Sequence, residues 1–413
     1  MEQGINSENV KINNRALVLK TLLSNDAIAR SEIAQKLGLT RATVTSICND
    51  FIKQGLLVEL DELDEGRHAG RKKRPVALQK NCRFVLAISI HSSITTVNIC
   101  DLKGNPKDGT SLQSNSAIPP EDFLQQIAAC CTKLLWQNHL TAEWILGVGV
   151  AILGPVDQNN GISLNAFGLW NRAVPIAQIL SQELRLPVCV ESNVCSMLEA
   201  ELLYEELKAK NILAVKWGPG VGSASAINGS VYKGRQFRSS ELGHNVVSES
   251  RKRCRCGKTG CLETLLSIDA VSEYAQALVK QNPEGALAAL QAELGPLKRD
   301  NIDSFLAVDD SAFQKYLFCL CQKLTTVINN AIQIIAPDCV VLYGCFFESQ
   351  PVIDQFMRLL FSINPELSPE MFRFLPWDDL RESIGATAVV VKRLLVDVGG
   401  LREPAVTAGV GRA

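Results

Sequence analysis

The chain has 413 residues, of which 46% are hydrophobic and 21% are charged, and its formal net charge is -1. It is long enough for two or three domains and has the composition of an ordinary globular protein with a sizeable core. No apolar segment follows Met1 and no run of about 18 uncharged apolar residues occurs, so we expect neither a secretory signal nor membrane insertion. Many of the 14 cysteines lie in apolar surroundings, which is typical of a protein in the reducing cytoplasm.

The first elements along the chain are predicted to be helices. Residues 11–23 place their aliphatic side chains near one helical face. Ser31 is expected to cap a short second helix, and Gly38 is expected to end it in a left-handed turn. Thr40 is expected to cap a third helix that runs to about Lys53.

The second and third helices with their tight connection predict a helix-turn-helix. The apolar residues expected to share its small core are Ile33, Ala34, Leu37, Leu39, Val44, Ile47 and Phe51. In this motif the last helix enters the major groove of DNA with its N-terminal residues foremost. The residues expected to contact bases or phosphates are Arg41, Thr43, Thr45 and Ser46. Among them, Arg41 can read guanine through two parallel hydrogen bonds.

Two short hydrophobic strands follow Gly55 and flank a basic loop at 61–75, which predicts a wing. The side chains expected against the phosphate backbone are Arg67, Arg71, Lys72, Lys73 and Arg74. Residues 1–80 hold 13 Lys and Arg against 10 Asp and Glu, a net +3, so the remaining 333 residues carry -4. A basic segment ahead of an acidic body favours a DNA-binding domain over the alternative, a helical interaction domain with a solvated loop.

From Arg83 onward the pattern changes to alternating strands and helices. Strands are predicted at 83–105 (a pair), 145–157, 186–194, 211–227 (a pair) and 339–344, and helices at 120–140, 174–185, 197–207, 313–335 and 385–395. Strand pairs followed by helix–strand units indicate two α/β lobes with a cleft between them.

The segment 241–263 reads ELGHNVVSESRKRCRCGKTGCLE and holds the ligand set of a closed, tetrahedral structural zinc site. The predicted zinc ligands are His244, Cys254, Cys256 and Cys261. Gly257 and Gly260 allow the tight turns that bring three sulfurs together. The basic residues expected to favour the thiolate forms are Arg251, Lys252, Arg253, Arg255 and Lys258. The alternatives are a chance cluster of free cysteines or a disulfide pair, which the cytoplasm disfavours.

Residues 83–398 resemble the ROK family, whose members are sugar repressors and sugar kinases. The segments that carry the resemblance are GVGVAILGPVD, LPVCVESNVCSMLEAE, WGPGVGSASAINGSVYKG, ELGH, CRCGKTGCLE and APDCVVLYG. The resemblance implies an actin-like, ribonuclease-H-like two-lobed α/β body behind the winged helix-turn-helix, with zinc on the four residues above. It also implies that Glu241, His244 and Glu263 lie beside a sugar pocket, where carboxylates accept hydrogen bonds from hydroxyl groups. The alternative is that both glutamates only orient the zinc loop.

The sequence departs from the family's kinases at three places. The phosphate-cradling Asp-x-Gly-Gly-Thr is replaced by Ser89, Ile90, His91, Ser92 and Ser93, and the adenosine-side Gly-Gly has become Gly344-Cys345. The Asn-Asp pair that ends in the general base is replaced by Ser192 and Asn193, and an amide cannot accept that proton. We therefore expect a chain that is not an enzyme. Asn193 can still bind a sugar, although the altered pair leaves open an unusual ligand or a vestigial pocket.

The predicted domains are the winged helix-turn-helix at 1–81, a first lobe at 82–200 with the return of 385–398, a second lobe with the zinc loop at 201–384, and a flexible tail at 399–413. Such a chain is expected to be a DNA-binding transcriptional regulator that represses genes of carbohydrate uptake or metabolism.

The expected partners are an operator in double-stranded DNA and a sugar or sugar-phosphate effector, and a sugar-transport permease is an alternative controlling partner. Because operators are usually two-fold, we expect a homodimer or homotetramer. The alternative function is an ATP-dependent sugar kinase with an added N-terminal domain, which Asn193 and the segment Ser89–Ser93 oppose.

Overall fold

The computed structural model describes residues 6–61, 74–205, 209–249 and 251–401. The N-terminal domain has three helices and a three-stranded sheet in the order β1-β3-β2. Its elements are α1 (Ser7–Leu23), β1 (Ile28–Ala29), α2 (Arg30–Leu37), α3 (Arg41–Lys53), β2 (Leu57–Glu59) and β3 (Pro75–Leu78). The three predicted helices and both predicted strands of the winged helix are present, and β1 is an additional strand.

The helix ends in this domain follow from local chemistry. The cap predicted at Ser31 is wrong, because α2 begins one residue before it with Ala29 in the capping position. Ala29 also ends β1, which pairs with β3, so the chain passes directly from a strand into a helix. Gly38 ends α2 with φ of 65°, as predicted. The Thr40 hydroxyl caps α3 by accepting a hydrogen bond from the Thr43 amide at 3.1 Å.

The first lobe contains a five-stranded sheet in the order β10-β7-β4-β5-β6. Its elements are β4 (Phe84–Ile90), β5 (Ile94–Cys100), β6 (Pro106–Gln113), α4 (Pro120–Gln137), β7 (Ile145–Ile152), β8 (Val156–Asp157), β9 (Ile162–Ser163), α5 (Ile176–Leu184), β10 (Val188–Ser192) and α6 (Asn193–Tyr204). Strands β4, β5 and β6 are antiparallel, whereas β7 and β10 run parallel to β4. The central strand β4 is buried along its whole length, which explains its near-continuous apolar sequence.

The second lobe repeats this topology with the order β13-β12-β11-β14-β15. Its elements are β11 (Ile212–Trp217), β12 (Val221–Ile227), β13 (Ser230–Tyr232), α7 (Glu263–Leu266), α8 (Ile268–Gln281), α9 (Ala286–Leu294), α10 (Ile302–Leu306), α11 (Ser311–Ile335), β14 (Cys339–Tyr343), α12 (Gln350–Ile363), β15 (Phe372–Leu375) and α13 (Asp379–Val391). A π-helical segment, Lys392–Val396, continues α13. The repeated order of an antiparallel meander followed by two parallel strands gives two similar lobes.

Two helices join the lobes. Helix α6 leaves the first lobe and packs on β12 of the second, while α13 leaves the second lobe and packs on β4 and β7 of the first. The two helices also pack on each other. The helix that returns to the first lobe therefore begins at Asp379, six residues before the predicted start of the return at residue 385.

The N-terminal domain has no hydrophobic core separate from these helices among the described residues. One buried cluster contains Val18 and Leu22 of α1, Phe51 of α3, Leu203 of α6 and Leu395 at the end of α13. The predicted core residues of the helix-turn-helix belong to the same cluster, with Leu37 and Leu39 packed on its edge. The N-terminal domain is thus packed directly onto the two helices that link the lobes.

The predicted flexible tail is wrong for its first three residues. Gly399 and Gly400 are buried, and the Gly399 carbonyl accepts a hydrogen bond from Nε of Arg15. The Leu401 amide donates a hydrogen bond to Oε1 of Gln54 at 3.3 Å. Residues 402–413 lie outside the described ranges. No helix in the described part of the chain is both long and apolar enough to cross a bilayer.

Candidate functional site

Helix α3 presents a polar N-terminal surface. Arg41, Thr45 and Ser46 are exposed, while Val44 between them is buried in the core. Thr43 is half-buried, and its hydroxyl lies 2.8 Å from the Thr40 hydroxyl, so capping already engages it. Three of the four predicted contact residues on α3 are therefore accessible to a binding partner.

Only the two ends of the predicted wing lie within the described residues. Arg74 is exposed immediately before β3. The other predicted wing contacts, Arg67, Arg71, Lys72 and Lys73, lie outside the described residues. Arg30 connects the two sides of the domain, since its guanidinium pairs with Glu59 of β2 at 2.5 Å and donates to Asn49 of α3 at 3.3 Å. The recognition helix is thereby fixed to the strand that leads into the wing.

The four predicted metal ligands come together in one cluster. Donor atoms of His244, Cys254, Cys256 and Cys261 all lie within 4.8 Å of one another, and three of the four residues are buried. The Sγ atoms of Cys256 and Cys261 are 3.7 Å apart, and Sγ of Cys254 is 3.5 Å from Nδ1 of His244. Two sulfurs that each lie about 2.3 Å from a tetrahedral Zn²⁺ are separated by about 3.8 Å, so the cluster has the size of a zinc site.

Tight turns bring the ligands together. The Cys254 amide donates to the Lys258 carbonyl at 2.8 Å, and the Gly257 amide donates to the Cys254 carbonyl at 2.9 Å. Gly260 adopts φ of 72°, and a Cβ there would lie 2.1 Å from the Ser248 carbonyl oxygen. Only glycine fits this position, which agrees with the role predicted for Gly257 and Gly260.

The predicted effect of the basic residues on the thiols is wrong for Cys254. Burial raises the pKa of the Cys254 thiol to about 12, and burial also raises the pKa of Cys261. Two of the basic side chains are paired elsewhere: Lys252 with Glu273 at 2.6 Å and Arg255 with Asp269 at 3.3 Å. The charge of Lys258 opposes the rise in pKa at Cys261 without overcoming burial. A bound cation, rather than these exposed residues, would be needed to hold the buried thiols in their thiolate form.

The predicted sugar-binding residues are brought together in part. Oε2 of Glu263 lies 3.6 Å from Nδ1 of His244, and burial raises the pKa values of both Glu263 and Glu241. The Phe167 ring of the first lobe meets the His244 ring edge-on, with centroids 5.8 Å apart. Asn193 lies at the start of α6, and among the described residues no hydrogen bond joins it to these side chains.

In the segment predicted to replace the phosphate loop, His91 belongs to a hydrogen-bonded network centred on the buried Glu382. Nε2 of His91 contacts Oε2 of Glu382 on α13, and the Trp377 indole donates to the other oxygen of Glu382 at 2.5 Å. Burial by itself would raise the pKa of Glu382, but the hydrogen bond and charge of His91 and the charge of Lys216 hold it below its ordinary value. The Lys216 ammonium lies 4.1 Å from the centroid of the Trp377 ring.

A second buried ion pair joins the lobes. Glu191 at the end of β10 pairs with Lys233, beyond β13, at 2.6 Å, and with Arg393, beyond α13, at 3.2 Å. Sequence reasoning missed this network, and it also missed Phe167, Lys216 and Glu382. The available signal for Lys216 was a single charge inside the apolar strand β11.

The fold and the site define a DNA-binding winged helix joined to a two-lobed, actin-like α/β body with a candidate metal centre beside the cleft. The pattern described as the ROK family matches residues 86–371, and the pattern described as winged helix-turn-helix DNA-binding matches residues 14–58. The chain therefore belongs to the ROK family and carries a winged helix-turn-helix domain.

Its relatives include repressors and kinases. The xylose repressor of Bacillus subtilis strain 168 is 25% identical over 401 residues, which cover 94% of this chain and 96% of that one. A solved ROK family transcriptional regulator, described as a homologue of the Escherichia coli MLC protein, has a TM-score of 0.74 at 20% identity and covers 95% of this chain and 98% of that one. A ROK family glucokinase from Streptomyces griseus, solved with glucose and AMPPNP, has a TM-score of 0.63 at 20% identity and covers 74% of this chain and 98% of its own. The two structural matches show the fold.

Proposed function

We propose that the chain is a DNA-binding transcriptional repressor of genes for carbohydrate uptake or metabolism, controlled by a sugar-type effector that binds between the lobes. The observation that carries this proposal is the exposed N-terminal surface of α3, held by a winged helix that shares its core with α6 and α13. A regulator needs one element that meets DNA and a second element whose geometry depends on a ligand, and here the two are packed together.

The DNA contacts are assigned to two surfaces. Arg41, Thr45 and Ser46 would enter the major groove, where a guanidinium reads guanine and hydroxyls are less selective. Arg74 and the basic residues of the wing would contact phosphates, which add affinity but little sequence choice. Two winged helices are required for a two-fold operator, so we propose a homodimer or a dimer of dimers.

The effector would act through the lobe-linking helices. Ligand binding in the cleft favours one relative position of the lobes, and α6 and α13 change their mutual packing with it. Since α1 and α3 lie on these same helices, the spacing between the two winged helices of a dimer would change as well. The effector then releases the operator by its differential affinity for the two arrangements. Glu241, His244, Glu263 and Asn193 are proposed to line the sugar pocket, and control by a permease is the alternative to a sugar.

The cluster of one histidine and three cysteines is proposed to hold a structural Zn²⁺. The four donors match the ligand set and the spacing of a closed tetrahedral site, and none of the four positions would remain open for a reacting water. When bound, the ion would fix the loop that carries His244 beside the cleft. We propose no catalytic role for this ion, because four protein ligands would fill its coordination sphere.

We infer that the body does not transfer phosphate. Asn193 stands where the family's kinases place a carboxylate base, and its amide cannot accept a proton. The segment Ser89–Ser93 lacks the glycines that let backbone amides approach a phosphate, and its His91 is engaged with Glu382.

The experiment is a footprint on duplex DNA that the purified full-length protein selects from random sequence. Arg41→Ala is expected to weaken specific binding by about 1–3 kcal/mol, roughly 5- to 150-fold, because the guanine contact is lost. Arg172→Ala, which removes an exposed guanidinium of the first lobe, is the matched control and is expected to bind like the wild type. The same protein is expected to show no sugar-dependent ATP consumption.

An unchanged footprint after Arg41→Ala would refute the placement of α3 in the groove. Sugar-dependent ATP consumption by a protein that selects no DNA sequence would instead support the kinase alternative.

A further inference from the structure

Lys216 is a buried cation without a hydrogen-bonding partner. It lies near the end of β11, only 4% of its surface is exposed, and burial lowers the pKa of its ammonium to about 8. Throughout the described ranges, no acceptor forms a hydrogen bond or close ion pair with this ammonium, whose nearest recorded contact is the face of Trp377. An ammonium group has three donors, and burying them unsatisfied destabilises the fold.

The neighbouring acidic group is already engaged. Glu382 is 2% exposed, and its two oxygens are occupied by His91 and by the Trp377 indole. The network around Glu382 is therefore complete without Lys216, which interacts with it only through longer-range charge. The other charged groups that act on Lys216 are Arg299 and Glu263.

Asn193 supplies a second buried donor. Its side chain is 7% exposed, and its Oδ1 atom accepts a hydrogen bond from the Val194 amide at 2.9 Å. Its Nδ2 atom is fully buried and has no partner among the described residues. Asn193 is also the first residue of α6, a helix of 12 residues whose N-cap, Ser192, makes no capping hydrogen bond with its side chain to any described residue. The Val194 amide is therefore engaged, and the helix dipole together with the remaining first-turn amides makes this end attractive to anions.

The strand register places Lys216 beside this helix end. Lys216 pairs directly with Gly222 across β11 and β12, and side chains of paired residues leave the sheet on the same face. A Cβ on Gly222 would lie 2.7 Å from Cγ2 of Val194, the second residue of α6. The missing side chain at Gly222 therefore lets the start of α6 approach the face of the sheet from which Lys216 projects.

We propose that Lys216, Nδ2 of Asn193 and the N-terminal amides of α6 form an anion subsite, and that the effector is a sugar that carries a carboxylate or a phosphate. Lys216 and Nδ2 of Asn193 can only donate hydrogen bonds, so they match an anionic oxygen better than a hydroxyl group, because a hydroxyl must also donate. The carboxylates of Glu241 and Glu263 would accept hydrogen bonds from the ring hydroxyls. This inference rests on the proposed function, since it names the class of ligand that the cleft takes.

The experiment compares four probes by isothermal titration calorimetry with the full-length protein: D-glucose, D-glucose 6-phosphate, D-glucuronate and inorganic phosphate. At least one of the two anionic sugars is expected to bind ten-fold or more tightly than D-glucose, and which one binds distinguishes a phosphate from a carboxylate. Lys216→Met is expected to remove that preference, so that the anionic sugar and D-glucose bind with similar affinity. Lys133→Met removes an exposed lysine of α4 and is expected to keep the preference.

Equal affinity for neutral and anionic sugars would overturn the subsite, as would an anion preference that survives Lys216→Met or a failure of all four probes to bind. DNA binding without ligand is measured on the same variants and is expected to be unchanged. Loss of the anion preference in a variant that still binds DNA tests the subsite alone. A wild-type protein that binds no DNA would instead contradict the proposed function.

Discussion

At the scale of single residues, Lys216 and Cys254 show how burial changes an ionisable group. Burial lowers the pKa of the Lys216 ammonium to about 8 and raises the pKa of the Cys254 thiol to about 12, so in both cases the neutral form is favoured. At pH 7 the Cys254 thiol stays protonated unless a metal cation compensates the thiolate. The Lys216 ammonium keeps its charge at that pH, but at a cost in stability that a bound anion would relieve.

Lys216→Met is expected to raise the free energy of unfolding at pH 7. The folded-state pKa of about 8 lies below the ordinary value of 10.5, and the difference corresponds to about 3 kcal/mol. Below pH 8 the folded protein carries this penalty in full. Between pH 8 and 10.5 the unfolded chain binds the extra proton, so the wild type gains stability as pH rises and the advantage of the variant shrinks. Urea unfolding at pH 7 and at pH 10, monitored by circular dichroism, measures both effects.

Lys133→Met, which removes an exposed lysine, serves as the control and is expected to change stability by less than about 0.5 kcal/mol at either pH. If Lys216→Met were less stable than the wild type at pH 7, the ammonium would have to be satisfied within the fold, and its assignment as a ligand-binding donor would lose its basis.

At the scale of elements, turns give the loop at 244–261 its shape, and the proposed metal ion would add to its stability. The loop at 244–261 contains isolated bridges between Val246 and Cys261 and between Arg253 and Thr259, and no regular helix or strand beyond the short turn at His244 in its described part. Little apolar surface holds such a loop, so a metal bond contributes directly to its folding.

Binding of Zn²⁺ to the metal-free protein is expected to release about two or more protons per ion at pH 7, because the Cys254 and Cys261 thiols are protonated until the metal arrives. Calorimetric titration in two buffers that differ in ionisation enthalpy counts these protons, and elemental analysis is expected to find about one zinc per chain. Cys254→Ser is expected to lose the metal, whereas Cys319→Ser, which removes an exposed thiol of α11, is expected to keep it. Stoichiometric zinc in Cys254→Ser would contradict the assigned ligand set.

The sequence predicts the ends of helices correctly wherever the residues next to the helix end determine it. Thr40 and Gly38 have side-chain and backbone properties that fix a helix start and a helix end, and both predictions are confirmed. The four metal ligands could be grouped because their donor chemistry is rare within so short a segment. Ser31 failed as a cap because pairing between β1 and β3, which is not local, decides where α2 begins.

The parts of the site that depend on contacts between distant segments could not be predicted. His91 contacts Glu382, which lies 291 residues further along the chain. Lys216 of β11 contacts the ring of Trp377, which follows β15. Glu191 and Lys233 come from different lobes. Local periodicity carries no information about such pairs, because they depend on how the two lobes pack around α6 and α13.

At the scale of the whole molecule, the DNA-binding domain is attached to the body by a buried junction. Arg15 of α1 is 9% exposed and its Nε atom donates to the carbonyl of Gly399, which follows the end of α13. The same guanidinium pairs with Asp50 of α3 at 2.9 Å and lies over the Phe51 ring at 4.5 Å. One side chain thus links the return segment of the lobes to both α1 and α3, and the proposed effector control would reach the DNA through this contact.

Arg15→Met is expected to loosen this junction while preserving part of the packing over Phe51. The loss of charge-assisted hydrogen bonds to Gly399 and Asp50 is expected to destabilise the attachment by about 2–4 kcal/mol. Differential scanning calorimetry is expected to show one transition in the wild type and, in Arg15→Met, an earlier transition for the N-terminal domain. Arg172→Met removes an exposed pair with Glu121 and is expected to melt like the wild type. A single unshifted transition in Arg15→Met would mean that the shared apolar cluster alone holds the domain, and Arg15 could not be the link between effector and DNA.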